Sequence, residues 1–128
     1  MKYLICSDIH GSFEACKKII SQFESFSCDK LIILGDTLYH GPRNPLPEGH
    51  NPKAVAELLN KYADKIIACR GNCDAEVDQM VLQFQYLCQD IFHHTFLVHI
   101  ALRNHLRMQT SLIRMLLLHK EWIEICQN

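Results

Sequence analysis

Glycine is absent beyond residue 71 and proline beyond residue 52, so the last 57 residues contain neither. Acidic residues are missing from Ile91 to Lys120. Glycine and proline together normally make up roughly 12% of a chain and supply its turns, so this depletion separates the C-terminal third from the rest. No apolar run exceeds four residues, which excludes a transmembrane helix. Asp8 interrupts the first apolar stretch too early for a secretory h-region. The seven cysteines form no Cys-x-x-Cys pair, and several sit inside apolar runs, where cysteine behaves as a small hydrophobe. That usage points to a reduced, cytoplasmic protein. A net charge of -1 gives no general attraction for nucleic acid.

What is present fits one soluble domain. Hydrophobic content is 48% and charged content 21%, and a chain of this length buries roughly two-thirds of its surface. Residues 2 to 7 read as a buried strand. Ser12 is an N-cap, with Glu14 in the first turn and Phe13, Cys16, Ile19, Ile20 and Phe23 at helical spacing. Lys30 to Leu34 is a second strand, and a Pro- and Gly-rich loop fills 41 to 49. Asn51-Pro52 starts a second helix with Val55, Leu58, Leu59 and Tyr62 on its apolar face. Lys65 to Cys69 is a third strand, after which Asp74 caps a further helix containing Val77, Met80 and Val81.

The order is β-α-β-α-β, with short apolar strands of the kind buried on both faces. Right-handed crossovers then bring all three strand C-termini to one edge of a parallel sheet, the edge where open α/β sheets bind ligands. Those ends carry Asp8-Ile9-His10, Gly35-Asp36 and Gly71-Asn72. In an extended or tightly turning segment residues i and i+2 point the same way, so Asp8 and His10 can converge on one ion. Carboxylate, imidazole and carboxamide donors suit Mn²⁺, Fe²⁺, Zn²⁺ or Ni²⁺. Two such ions roughly 3.5–4 Å apart would clamp a phosphoryl group and generate hydroxide.

The three strand ends, in this order, resemble the calcineurin-like metallophosphoesterase superfamily. Longer stretches are similar to its YfcE-type bacterial phosphodiesterases: Ser7-Asp8-Ile9-His10-Gly11-Ser12, Ile33-Leu34-Gly35-Asp36, the segment from His40 to Gly49, and that from Arg70 to Met80. The resemblance covers residues 1–84. It implies an α/β fold, the N-terminal half of an α/β/β/α sandwich, and hydrolysis of small phosphodiesters by a dimetal-activated hydroxide, with Mn the expected metal. It also implies that Asp8 and His10 bind the first ion, Asp36 bridges and Asn72 binds the second. Cys73 stands where many members have a substrate-assisting histidine. It is a structural or substrate-side neighbour rather than a nucleophile, since no base is identifiable beside it. His40, Arg43 and Asn44 are loop residues that could reach the substrate phosphate, Arg43 as a forked donor.

Residues 85–128 form an atypical tail. The family places further histidines there, in a His-Gly-His-like turn and a Gly-His-x-His motif, and a stretch without glycine carries neither. His93, His94, His99, His105 and His119 read as incidental, and Arg103, Arg107 and Arg114 as solvated. One or two helices between about Arg103 and Cys126 are the expected tail structure. The change of composition is what a truncated or frame-shifted gene would produce. Translating the other two frames beyond codon 84 and finding no Gly-His-x-His would sink that idea. The competing function is therefore a catalytically impaired paralogue that binds metal weakly or not at all. A missing second sheet would leave apolar surface for a homo-oligomer to cover.

Overall fold

A computed structural model describes residues 2–86 and the backbone of residues 116–118 and 121–126. The expected β-α-β-α-β order is present: β1 (Tyr3–Cys6), α1 (Phe13–Ser25), β2 (Lys30–Ile33), α2 (Pro52–Asn60) and β3 (Ile66–Ala68). β1 pairs parallel with β2, and β2 parallel with β3. Register is set by the apolar pattern. Leu4 lies beside Leu31 and Leu31 beside Ile66, while Cys6, Ile33 and Ala68 form the next row.

Both helices begin where their caps specify. The Ser12 hydroxyl accepts from the Ala15 amide at 3.3 Å. The Asn51 carboxamide accepts from Ala54 at 3.1 Å, with Pro52 at the first helical position. Cys16, Ile19, Ile20 and Phe23 of α1 join Val55, Ala56 and Leu59 of α2 in one cluster with Leu4, Cys6, Leu31, Ile33, Ile66 and Ala68. The strand order β3-β2-β1 means both crossovers run the same way. Right-handed crossovers of that kind put both helices on one face of the sheet, where the Phe23 and Tyr62 rings meet edge-on at 5.9 Å.

Two expectations need correction. Where helices were expected in the tail, β4 (Leu116–Leu118) and β5 (Glu121–Cys126) form an antiparallel pair. β5 lies antiparallel along β1, from Tyr3 opposite Cys126 to Cys6 opposite Ile123, and the sheet runs β3-β2-β1-β5-β4. The outer edge of β1 carries backbone groups that need partners. The segment Trp122-Ile123-Glu124-Ile125 is rich in strand-forming residues. The remaining tail positions named above, His93 to His105, Arg103 to Arg114 and His119, lie outside the described residues.

The second correction concerns Asp74. Glu76–Met80 is a short 3₁₀ segment, capped by Asp78 accepting from the Ala75 amide at 2.9 Å. Val77, Met80 and Val81 are exposed rather than lining an apolar helix face. Asp74 cannot cap a helix because its carboxylate is already committed to other donors.

Candidate metal centre

The three strand ends interlock through their backbones. Leu34 donates to Cys6 O, and Cys69 to Ile33 O, so pairing continues past the strands. Asp8 then donates to Gly35 O at 3.2 Å, His10 to Asp36 O at 2.8 Å and Gly11 to Thr37 O at 3.0 Å. This ladder places Asp8 and His10 against Asp36 whatever their side chains do. Asp8 (φ 58°), His10 (φ 50°) and Asp36 (φ 56°) all adopt the left-handed region, which is uncommon outside glycine. The convergence of Asp8 and His10 thus comes from two left-handed kinks and not from an extended run. Ile9 between them is fully buried. Backbone strain of this kind costs of order 1–3 kcal/mol per residue and gathers at functional sites.

The side chains follow. Nδ1 of His10 donates to Tyr39 O at 2.8 Å, because a carbonyl can only accept, and that bond turns Nε2 toward the site. Nε2 lies 3.4 Å from Oδ1 of Asp8. Donor atoms of His10, Asp36 and Cys73 lie within 4.8 Å of one another, a group that could hold a metal ion. The Cys73 amide donates to Asp36 Oδ1 at 2.8 Å. Asn72 is exposed and its Nδ2 donates to the Cys73 sulfur at 3.2 Å.

Two glycines make the approach feasible. A Cβ on Gly35 would meet the Gly71 backbone at 2.5 Å, and one on Gly71 would strike Asp36 Oδ1. The strand ends touch where neither residue has a side chain.

A calcineurin-like phosphoesterase profile matches residues 1–124. The chain belongs to that family. It is 56% identical over 84 residues to phosphodiesterase YfcE of Escherichia coli strain K12, and equally to that of strain O157:H7. Those 84 residues are 66% of this chain and 46% of the relatives, so the chain spans about half the length of the curated relatives it matches. The solved structure of YfcE, described as a phosphoesterase from E. coli, superposes with a TM-score of 0.67 at 52% identity, covering 69% of this chain and 48% of that one. The α/β fold with its three-strand parallel sheet is that of this phosphoesterase. Metallophosphoesterases use divalent metals.

The residues present suit such an ion. Burial pushes the Asp36 carboxyl above its ordinary range. The Cys73 amide pulls it back, the charges of Asp74 and Asp8 push it up again, and His10 opposes them. Burial likewise raises the Cys73 thiol, helped by the charges of Asp36, Asp74 and Asp8. A divalent cation among these groups would offset the crowding of like charge.

This crowding has a measurable sign. A carboxyl raised in the fold binds more protons folded than unfolded, so its contribution to stability falls as pH rises through the folded value. Asp36→Asn removes that dependence while keeping an acceptor for the Cys73 amide. Without metal, wild type and this variant should be equally stable near pH 3.8, Asp36's ordinary value. The variant should become the more stable as pH climbs to neutrality. Thermal melts in chelator across that range check it, and a gap of constant size would refute the assignment.

The loop after β2 lies over the same site. A Cβ on Gly41 would meet the Cys73 sulfur at 3.1 Å and Asn44 Nδ2 at 3.3 Å. Asn44 Nδ2 itself donates to His40 O at 2.9 Å. His40 and Asn44 are therefore beside Cys73, while Arg43 is exposed on the same loop. Nδ1 of His40 is buried with no hydrogen-bond partner among the described residues.

Sequence reasoning missed three participants. His50 donates from Nδ1 to His10 O at 3.1 Å and stacks edge-on against the His40 ring at 5.3 Å. Nothing in its loop context marks it, although its position just before the Asn51 cap is a weak hint. Asp74 and Tyr86 are the others. Asp74 follows Gly71-Asn72-Cys73 directly, which was the signal available, and Tyr86 is isolated in sequence.

Proposed function

We propose that this chain is a metal-dependent hydrolase of small phosphodiesters, with residues 1–84 as its metallophosphoesterase part. The observation that carries this reading is the convergence of His10, Asp36 and Cys73 donors within 4.8 Å, with Asp8 against His10. Asp8 and His10 would hold the first ion, Asp36 would be shared by both, and Asn72 would hold the second. Mn²⁺ is the expected metal. Bound ions of this class would supply Lewis-acid neutralisation of phosphoryl charge and a nucleophile from water near neutral pH.

The chain's own groups divide the remaining work. Nδ1 of His10 keeps its proton on Tyr39 O, which orients the ring. The Cys73 amide holds one oxygen of Asp36 in place. The Cys73 thiol, pushed up by burial and neighbouring carboxylates in the metal-free protein, lies beside the substrate rather than attacking it. Arg43 can grip a non-bridging phosphate pair as a fork, while His40 and Asn44 position the loop that carries it. The buried, partnerless Nδ1 of His40 supports a polar ligand at this loop. Buried thiols such as Cys16 and Cys28 suit a reducing cytoplasm.

The tail beyond residue 84, which carries neither a His-Gly-His nor a Gly-His-x-His motif, favours one second reading, a catalytically impaired paralogue that binds metal weakly or not at all. Mn²⁺ titration calorimetry together with an aryl phosphodiester assay separates the two. Binding with Mn²⁺-dependent turnover is the expected result, binding without turnover supports the impaired paralogue, and no turnover with or without Mn²⁺ removes the hydrolase reading.

A further inference from the structure

Asp74 is buried, yet it ligates nothing in the reading above. Its Oδ2 accepts from the Asp36 amide at 2.6 Å and from the Gly71 amide at 2.7 Å. Oδ1 accepts from the Thr37 amide at 2.8 Å and from the Tyr86 hydroxyl at 3.2 Å. One carboxylate thus gathers four donors from the ends of β2 and β3 and from Tyr86. Tyr86 also bridges to Ala68 in parallel register beside β3. The carboxylate crosses the gap that Gly35 and Gly71 leave, and it is the partner of the Asp36 amide, whose residue sits in the left-handed region.

We infer that Asp74, braced by Tyr86, is a positioning residue that holds Asp36 in its metal-binding conformation and so sets the affinity of the centre. This rests on the metal reading proposed above. The warrant is geometric. Without the clamp the Asp36 amide loses its acceptor, and only the His10 amide on Asp36 O and the Cys73 amide on its Oδ1 then oppose relaxation of φ to negative values. Such a relaxation would swing the Asp36 carboxylate away from Asp8, His10 and Cys73. Partners behind a metal ligand typically govern roughly 10–100-fold in affinity. Asparagine cannot replace Asp74, because its NH₂ group would face one or two backbone N–H donors instead of accepting from them.

The test measures Mn²⁺ affinity by calorimetry and amide exchange at Asp36, Thr37 and Gly71 by NMR in metal-free protein. Asp74→Asn should weaken Mn²⁺ about tenfold or more and speed exchange at those amides. Asp78→Asn is the structural control. Asp78 is also buried, but it caps only the Ala75 amide. That variant should keep Mn²⁺ affinity within about twofold of wild type. A folded Asp74→Asn protein with wild-type affinity overturns the inference. Should Asp74→Asn fail to fold, Tyr86→Phe decides, since it keeps the carboxylate and its three amides. A several-fold weaker affinity supports the clamp and an unchanged one overturns it. If wild type itself binds no Mn²⁺, it is the underlying metal reading that fails.

Discussion

Replacing Asp36 by asparagine is expected to eliminate Mn²⁺ binding and any phosphodiester turnover while leaving the protein folded. Asparagine keeps the Oδ1 acceptor for the Cys73 amide and the backbone bonds at this position. Packing and loop geometry therefore survive. What disappears is a negative donor that the proposed site shares between two ions. Loss of a partner behind a ligand already costs roughly 10–100-fold, so loss of this ligand should cost about two orders of magnitude or more. Calorimetry on the folded variant reads the effect directly. Retained affinity at the wild-type level would remove Asp36 from the centre, and with it the proposed chemistry. The same substitution relieves the metal-free protein of a buried carboxylate crowded by Asp74 and Asp8. Lower affinity and equal or greater stability at neutral pH should therefore appear together, a combination that misfolding would not produce.

The second large effect is structural. Gly35→Ala should destabilise the protein by about 2–6 kcal/mol, from roughly 1–3 of backbone strain and 1–3 of overpacking. Gly35 sits at φ 117° and its added Cβ would strike the Gly71 nitrogen and Cα at 2.5 Å. Both obstacles are backbone, so no side chain can move aside. Against a total stability of about 5–15 kcal/mol that is a severe loss. Gly41→Ala makes the comparison informative. It too has a positive φ, but its Cβ would meet only the Cys73 sulfur and Asn44 Nδ2, at 3.1 and 3.3 Å. Urea midpoints at unchanged slope should fall much further for Gly35→Ala. Equal midpoints would mean that the two strand ends are not in contact.

Much of the fold was legible in the residues because local signals agreed. Ser12 and Asn51-Pro52 mark helix starts by chemistry that acts within three residues, and the short apolar runs marked β1 to β3. The strand-forming residues from Trp122 to Ile125 went unread because the surrounding tail keeps no period. What made it a strand was the open edge of β1, a partner more than a hundred residues away. Asp74 was misread for the same reason. An aspartate before a polar turn looks like a cap, and only the arrival of Asp36, Thr37 and Gly71 shows which amides it serves.

The donor types and the strand ends that carry them were readable from the residues alone: Asp8 and His10 after β1, Asp36 after β2, Asn72 and Cys73 after β3. The family too was readable there, through motifs confined to the first 84 residues. The tertiary structure alone decided how those donors meet. It turns Asp8, His10 and Asp36 into the left-handed region, brings the Cys73 thiol within reach of Asp36 and His10, and seats Asp74 beneath the junction. These outcomes depend on backbone pairing between segments far apart in the chain. A residue's own neighbours in sequence carry no information about which distant amide or carbonyl will satisfy it.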